Sequence, residues 1–283
     1  MHELINTRTG EVYTFPSDIH ELTPPQYLYY MDVVLRNMAG ELTSPEAIKQ
    51  QLFVFFTGLK VSARMAFATS ETSEAVWDDI TRKINMLDSF FDIATVADKT
   101  TYALHMRCVD NLLPVWENYN GPTDFLNGLT WGQFKNCLNA LRMLNDANLA
   151  DDEKEVAFFG SEIFRTLYTL KGEPAERIPD TIQFHAINWF GYWYELITTT
   201  PININGEDID FYTLWEKDDS EDEDDLKDKS GWMGVTFSIA ETGVFGDSTQ
   251  VDAQPLLNVL MYLYRQRINA KIEEKKNKNT TTP

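Results

Sequence analysis

Apolar positions recur at helical spacing over most of the chain. After Thr23 they fall at Tyr27, Met31, Val34, Leu35 and Met38, and after Thr130 at Phe134, Leu138, Leu141 and Leu144. Each stripe is introduced by the same pattern, LTPPQY at 22–27 and LTWGQF at 129–134. With Thr as N-cap, Gln falls at N3 and completes a capping box. The preceding Leu and the aromatic at N4 are placed to form a hydrophobic staple. Pro24 falls at N1, where its missing N–H is not needed. The motifs are 107 residues apart, and the helices after them diverge. They therefore fit either a duplicated helical unit or two helices started in the same way.

Further helices are predicted from Ser44-Pro45-Glu46 to about Leu59 and from Ser73 through Phe91, the latter with Val76, Ile80, Ile84, Leu87 and Phe91 on one face. Others are predicted over 151–170, 181–197, 231–243 and 255–276, followed by a basic, frayed tail from Lys271 to Pro283. Three stretches break the helical period. ELINTRTGEVYTF (3–15) reads as a hairpin around Thr9-Gly10, and Asn205-Gly206 marks a second hairpin near 201–212. Alternation at Tyr102, Leu104 and Met106 suggests a strand that pairs with the first hairpin. The fold expected is mainly α, a helical bundle with a pair of related helical units and small hairpins. Its segments are 1–120 (hairpin plus helical unit), 121–200 (second helical unit) and 201–283 (hairpin, acidic loop and C-terminal helical pair).

Composition narrows the function. Of 283 residues 43% are apolar and 13% aromatic, the profile of a folded chain. A formal charge of −20 disfavours nucleic acid and anionic lipid as partners. No apolar leader is visible in MHELINTRTGEVY, and LFVFFTGL (52–59) is too short to span a bilayer. Cys108 and Cys137 stand in apolar surroundings without CxxC spacing, as reduced, packed thiols of a cytosolic protein would.

Motifs for phosphate, dinucleotide, acyl-transfer and zinc-protease chemistry are missing. His2, His20, His105 and His185 are scattered singly, and His185, on the helix of Trp189 and Trp193, reads as a core or boundary residue. EKDDSEDEDDLKDK (216–229) carries nine acids and three lysines but lacks the turn glycine of an EF-hand, so a solvated, disordered loop is expected. No catalytic residue, cofactor or metal site is therefore expected. HAINWFGYWYEL (185–196) is either a helix packed on two sides, the favoured reading, or an exposed groove for a partner. The C-terminal helix, with Leu256, Leu257, Val259, Leu260, Met261, Leu263 and Tyr264 round most of its girth, is expected to be enclosed by its own domain.

Several blocks together resemble a known group: FPSDIHELTPPQY, NLLPVWENYNGPTDFLNGLTWGQF, LYTLKGEP, TPININGEDIDF and GWMGVTFSIAETGVFGDSTQVDAQPLLNVLMYLYRQR. The chain is similar to phage and prophage proteins, frequent in Bacteroidetes phages, that are encoded among tail genes. Its last block looks like the end of tail assembly chaperone-type proteins, where a helix and short linker precede a second helix. The resemblance implies a non-enzymatic protein of the host cytoplasm that binds another tail component, the tape measure first, during assembly. A structural part of the virion tail or neck is the alternative, and an acidic inhibitor of a host enzyme a third. An oligomer is compatible with each. Candidate contact residues, chosen from composition, are Trp189, Trp193, Trp232, Phe237, Phe245 and Tyr262.

Overall fold

A computed structural model describes residues 1–5, 10–58, 83–96, 99–123, 126–215 and 230–280. The chain is mainly helical and divides into two compact units. Unit 1 comprises Met1–Leu113 and Pro179–His185; unit 2 comprises Pro114–Ile178 and Ala186–Pro283.

Unit 1 opens with the antiparallel strands β1 (His2–Ile5) and β2 (Val12–Phe15), in register His2↔Phe15 to Ile5↔Val12. Helix α1 (Pro24–Met38) starts at the capping box, where Gln26 Oε1 accepts the Thr23 N–H at 3.0 Å and its hydroxyl at 2.9 Å. Leu22 and Tyr27, the staple pair, are both buried. The buried face is Tyr27, Tyr30, Met31, Val33 and Val34, while Met38 at the end of the stripe is exposed. Helix α2 (Pro45–Thr57) is capped by Ser44 and stops at Gly58, whose φ of 64° is a left-handed cap that disfavours a Cβ. Phe15 packs edge-on against Phe53, and Phe90 packs tilted against both Tyr30 and Phe56, all five rings buried.

The helix expected from Ser73 through Phe91 does not run to that end. Residues 59–82 lie outside the described residues. A 3-10 turn, Asn85–Phe90, then leads into β3 (Phe91–Val96). Ile84, Leu87, Phe90 and Phe91 are all buried, so apolar spacing alone could not separate a tight turn and strand from a helix. The predicted strand near 101–107 exists as β4 (Lys99–Leu104), but its partner is β3, with Phe91↔Leu104 and Val96↔Lys99, not the N-terminal hairpin.

Unit 2 contains a small antiparallel sheet in the order β5 (Val115–Trp116), β6 (Tyr119–Asn120) and β7 (Thr169–Leu170). A Cβ on Gly121 would meet the Tyr168 ring at 2.5 Å, so this corner needs glycine for a close approach. Helix α3 (Trp131–Leu149) and α4 (Glu153–Leu167) form an αα-hairpin joined by three residues. Asp152 caps α4 by accepting the N–H groups of Lys154 and Glu155.

Helix α5 (Asp180–Thr199) supplies its first turns to unit 1 and the rest to unit 2. The hairpin β8 (Ile202–Ile204) and β9 (Glu207–Ile209) turns at Asn205 (φ 53°) and Gly206 (φ 91°), both left-handed as a two-residue turn requires. Then follow α6 (Trp232–Glu241), α7 (Ser248–Asp252) and α8 (Leu256–Thr280). Residues 216–229, the expected acidic loop, lie outside the described residues. The tail expected to fray from Lys271 instead continues α8 to Thr280. Helix α8 is enclosed only in part: Leu256, Val259 and Leu260 are buried, whereas Met261, Ile268 and Ile272 are exposed. Among the described residues, no helix is long and apolar enough to cross a membrane.

Candidate functional site

In unit 2, α3 builds a groove because one of its faces is covered over only part of its length. The first turn is closed. Trp131 and Phe134 are fully buried, Trp131 against Trp232 at 5.5 Å and Phe134 against Phe190 at 5.8 Å. Thr236 accepts hydrogen bonds from Trp131 Nε1 (2.9 Å) and Lys135 Nζ (2.7 Å) and donates to the Trp232 carbonyl. Lys135 is itself buried and paired with Asp252 at 2.7 Å. This polar knot holds α6 and α7 against the start of α3.

Beyond it, among the described residues, the face is less covered. Leu138, Leu141, Arg142 and Asn145, with Trp232 and Met233 opposite, line a groove of about 690 Å³. Leu138 and Leu141 belong to the apolar stripe that follows Thr130 in the sequence. They are half-buried, as groove wall, whereas Phe134 and Leu144 are buried. The lining mixes these apolar side chains with the polar groups of Asn136, Asn139, Asn145 and Arg142. Such a surface suits an apolar side-chain row with a hydrogen-bonding flank.

The six residues chosen from composition separate into three groups. Trp189 and Trp193 are core residues, 2% and 4% exposed, and cannot present a surface. Their helix also buries Ile182, Ala186, Phe190 and Ile197, so the two-sided packing reading describes it. Phe245 and Tyr262 are half-buried and contact each other at 5.5 Å, with the Tyr262 hydroxyl donating to Thr242 Oγ1. Trp232 lines the groove, and Phe237, half exposed, stands five residues further along α6 and is not part of its lining. Sequence reasoning missed Leu138, Leu141, Arg142 and Met233. An apolar stripe does not reveal where along its length a partner helix stops.

In unit 1 the structure gathers groups that are far apart in sequence. His185 is buried, with the Tyr27 hydroxyl at 2.9 Å from Nδ1 and Asn111 Oδ1 at 3.1 Å from Nε2. With Nδ1 accepting from Tyr27 and Nε2–H donating to Asn111, the ring is neutral, and burial pushes its pKa down to about 3. It is the core histidine that the sequence suggested.

His20 was read as isolated, but its Nδ1 lies 2.7 Å from Asp110 Oδ2 and 3.6 Å from Cys108 Sγ. One ring nitrogen faces both partners, so it cannot donate to Asp110 while accepting the thiol proton. A nucleophile relay needs the two nitrogens in separate roles, and this cluster is not one. Cys137, by contrast, is packed in the core of unit 2, and burial pushes its thiol pKa up. No family model matches the chain, and no curated protein or solved structure matches it.

Proposed function

We propose that the chain is a non-enzymatic protein of a phage tail-assembly system, a helical bundle with two related capped units. Its role is to bind another tail component in the host cytoplasm, the tape measure first. The observation that carries the binding role is the unit 2 groove among the described residues, lined by Leu138, Leu141, Trp232 and Met233 together with Arg142 and three asparagines. A long helical client with a bare apolar stripe would self-associate before assembly. A groove of this character can cover such a stripe, and a charge of −20 keeps the complex dispersed. The resemblance of the sequence blocks to tail-region proteins supplies the choice of client.

Co-expression with the tape-measure protein tests the reading. The wild type is expected to co-purify with the client and keep it soluble. Leu141→Asp and Met233→Asp should weaken capture at least about tenfold, equivalent to about 1.4 kcal/mol, while leaving the fold intact. Capture that survives both substitutions, or no capture at all, overturns it. Mass spectrometry of purified particles separates the chaperone, absent from the virion, from a tail or neck component present in stoichiometric amount.

A further inference from the structure

The His20, Cys108 and Asp110 side chains meet on a frame that is fixed from both sides. His20 sits in the 3-10 turn Ile19–Glu21, whose start is capped by Asp18 accepting the His20 N–H at 2.9 Å. Glu21 ties the same turn back to Ser17 through the backbone N–H and the hydroxyl, both at 2.7 Å. Opposite, the segment carrying Cys108 and Asp110 is held at each end by buried groups. The Tyr30 hydroxyl donates to the His105 carbonyl at 2.6 Å, and His105 N–H donates to the Phe90 carbonyl at 2.8 Å. Asn111 Oδ1 accepts from His185 and from the Leu113 N–H at 3.0 Å. Neither half of the cluster is a free loop.

The ligand atoms lie within 4.8 Å of one another, with the sulfur at the buried floor and the imidazole and carboxylate half exposed at the mouth. Tetrahedral bonds of about 2.3 Å to sulfur and about 2.0–2.1 Å to nitrogen place those atoms about 3.6 Å apart. That is the observed Cys108–His20 separation of 3.6 Å. The same geometry asks for about 3.4 Å between nitrogen and oxygen, so Asp110 must swing out from 2.7 Å, a rotation its half-exposed side chain can make.

We propose that His20, Cys108 and Asp110 form a binding site for a zinc-class divalent cation. Thiolate and imidazole select a borderline-soft ion over magnesium or calcium. Three protein ligands leave a fourth position open to solvent. Binding replaces the Cys108 thiol proton, moves the His20 ring proton to Nε2 and releases one proton per ion. The ion's two positive charges are then balanced by thiolate and carboxylate. It fastens the 17–21 turn to the 105–113 segment.

Cobalt(II) titration of the chelator-treated 283-residue chain is the test, with absorption as readout. One ion per chain is expected, with tetrahedral d–d bands, a thiolate-to-cobalt charge-transfer band, and displacement by zinc. Carboxylates alone, such as the run at 216–229, give no thiolate band. Cys108→Ser should abolish that band. His20→Gln and Asp110→Asn, both at half-exposed positions, should weaken uptake at least about tenfold while near-UV circular dichroism stays unchanged. Failure of the wild type to take up cobalt at micromolar concentration overturns the site. So does a thiolate band that survives Cys108→Ser, or affinity unaltered in both surface variants.

Discussion

The two units are held by different chemistry. All four histidines of the chain belong to unit 1, and six of its seven tryptophans belong to unit 2. In unit 1 an aromatic core is pinned by long-range polar contacts: Tyr27 and Asn111 on His185, Tyr30 on the His105 carbonyl, Lys49 on Asp88. In unit 2, rings pack against rings around α3, and one polar knot at Thr236 serves Trp131 and Lys135 together. Polar pins depend on protonation and on segments distant in sequence. Ring packing depends on volume. The difference also supplies separate probes, since tryptophan fluorescence reports mainly on unit 2 and histidine resonances report on unit 1.

The largest effect is expected from Trp131→Ala. Truncating this fully buried ring removes its contacts and the hydrogen bond to Thr236, costing about 3–5 kcal/mol. The fluorescence-monitored denaturation midpoint should fall steeply, and the native His185 resonance should keep its position. An equal disturbance of His185 would break the division between the units.

Acid should strike unit 1. His185 has a folded pKa of about 3 against an ordinary 6.5, so the unfolded chain binds its proton first. Its contribution to stability is complete above pH 6.5 and is lost progressively as pH falls toward 3. The loss reaches about 2 kcal/mol at pH 5. His185→Gln removes that slope. Equilibrium unfolding at a series of pH values, read on unit 1, checks it, and an unchanged slope in the variant rules His185 out as the cause.

The smallest effect sharpens the comparison of the two capping boxes. Gln133 Oε1 accepts the Thr130 N–H at 2.9 Å, and its amide nitrogen also donates to the Thr166 carbonyl at the end of α4, at 2.8 Å. Glutamate can fill the first role but not the second, so Gln133→Glu should cost about 1–2 kcal/mol. Among the described residues Gln26 bonds Thr23 through its carbonyl oxygen, and Gln26→Glu should be within about 0.5 kcal/mol of neutral. Thermal midpoints of the two variants provide the measurement. Equal losses would mean that the boxes do the same work.

These pairs also show what the sequence could disclose. Helix starts were legible because Thr23-Pro24, Ser44-Pro45 and Thr130 act on backbone groups within three residues. Asn205-Gly206 was legible because its turn needs left-handed residues. A third capping box, Asp247 with Gln250, lies within unit 2, so such boxes alone do not establish duplication. The strands β5, β6 and β7 have two residues each, too few to show a period of two. His20 meets Cys108 across 88 residues, and Gln133 meets Thr166 across 33; neither spacing carries a local signal. The groove was hidden for a related reason, since Leu138 and Leu141 have the composition of core and differ from Phe134 only in what covers them.

The route of the chain through the two units fixes a schedule for its synthesis. Unit 1 is nearly complete at Leu113, yet the histidine that engages Tyr27 and Asn111 is residue 185. The ribosome therefore makes all of 114–178, including both helices of the αα-hairpin, before unit 1 can be finished. At about 5–20 residues per second, the nascent unit waits several seconds with the Tyr27 hydroxyl and the Asn111 amide lacking their histidine. During that interval the first 113 residues lack the segment that completes their unit, and the first turns of α5 supply it on arrival.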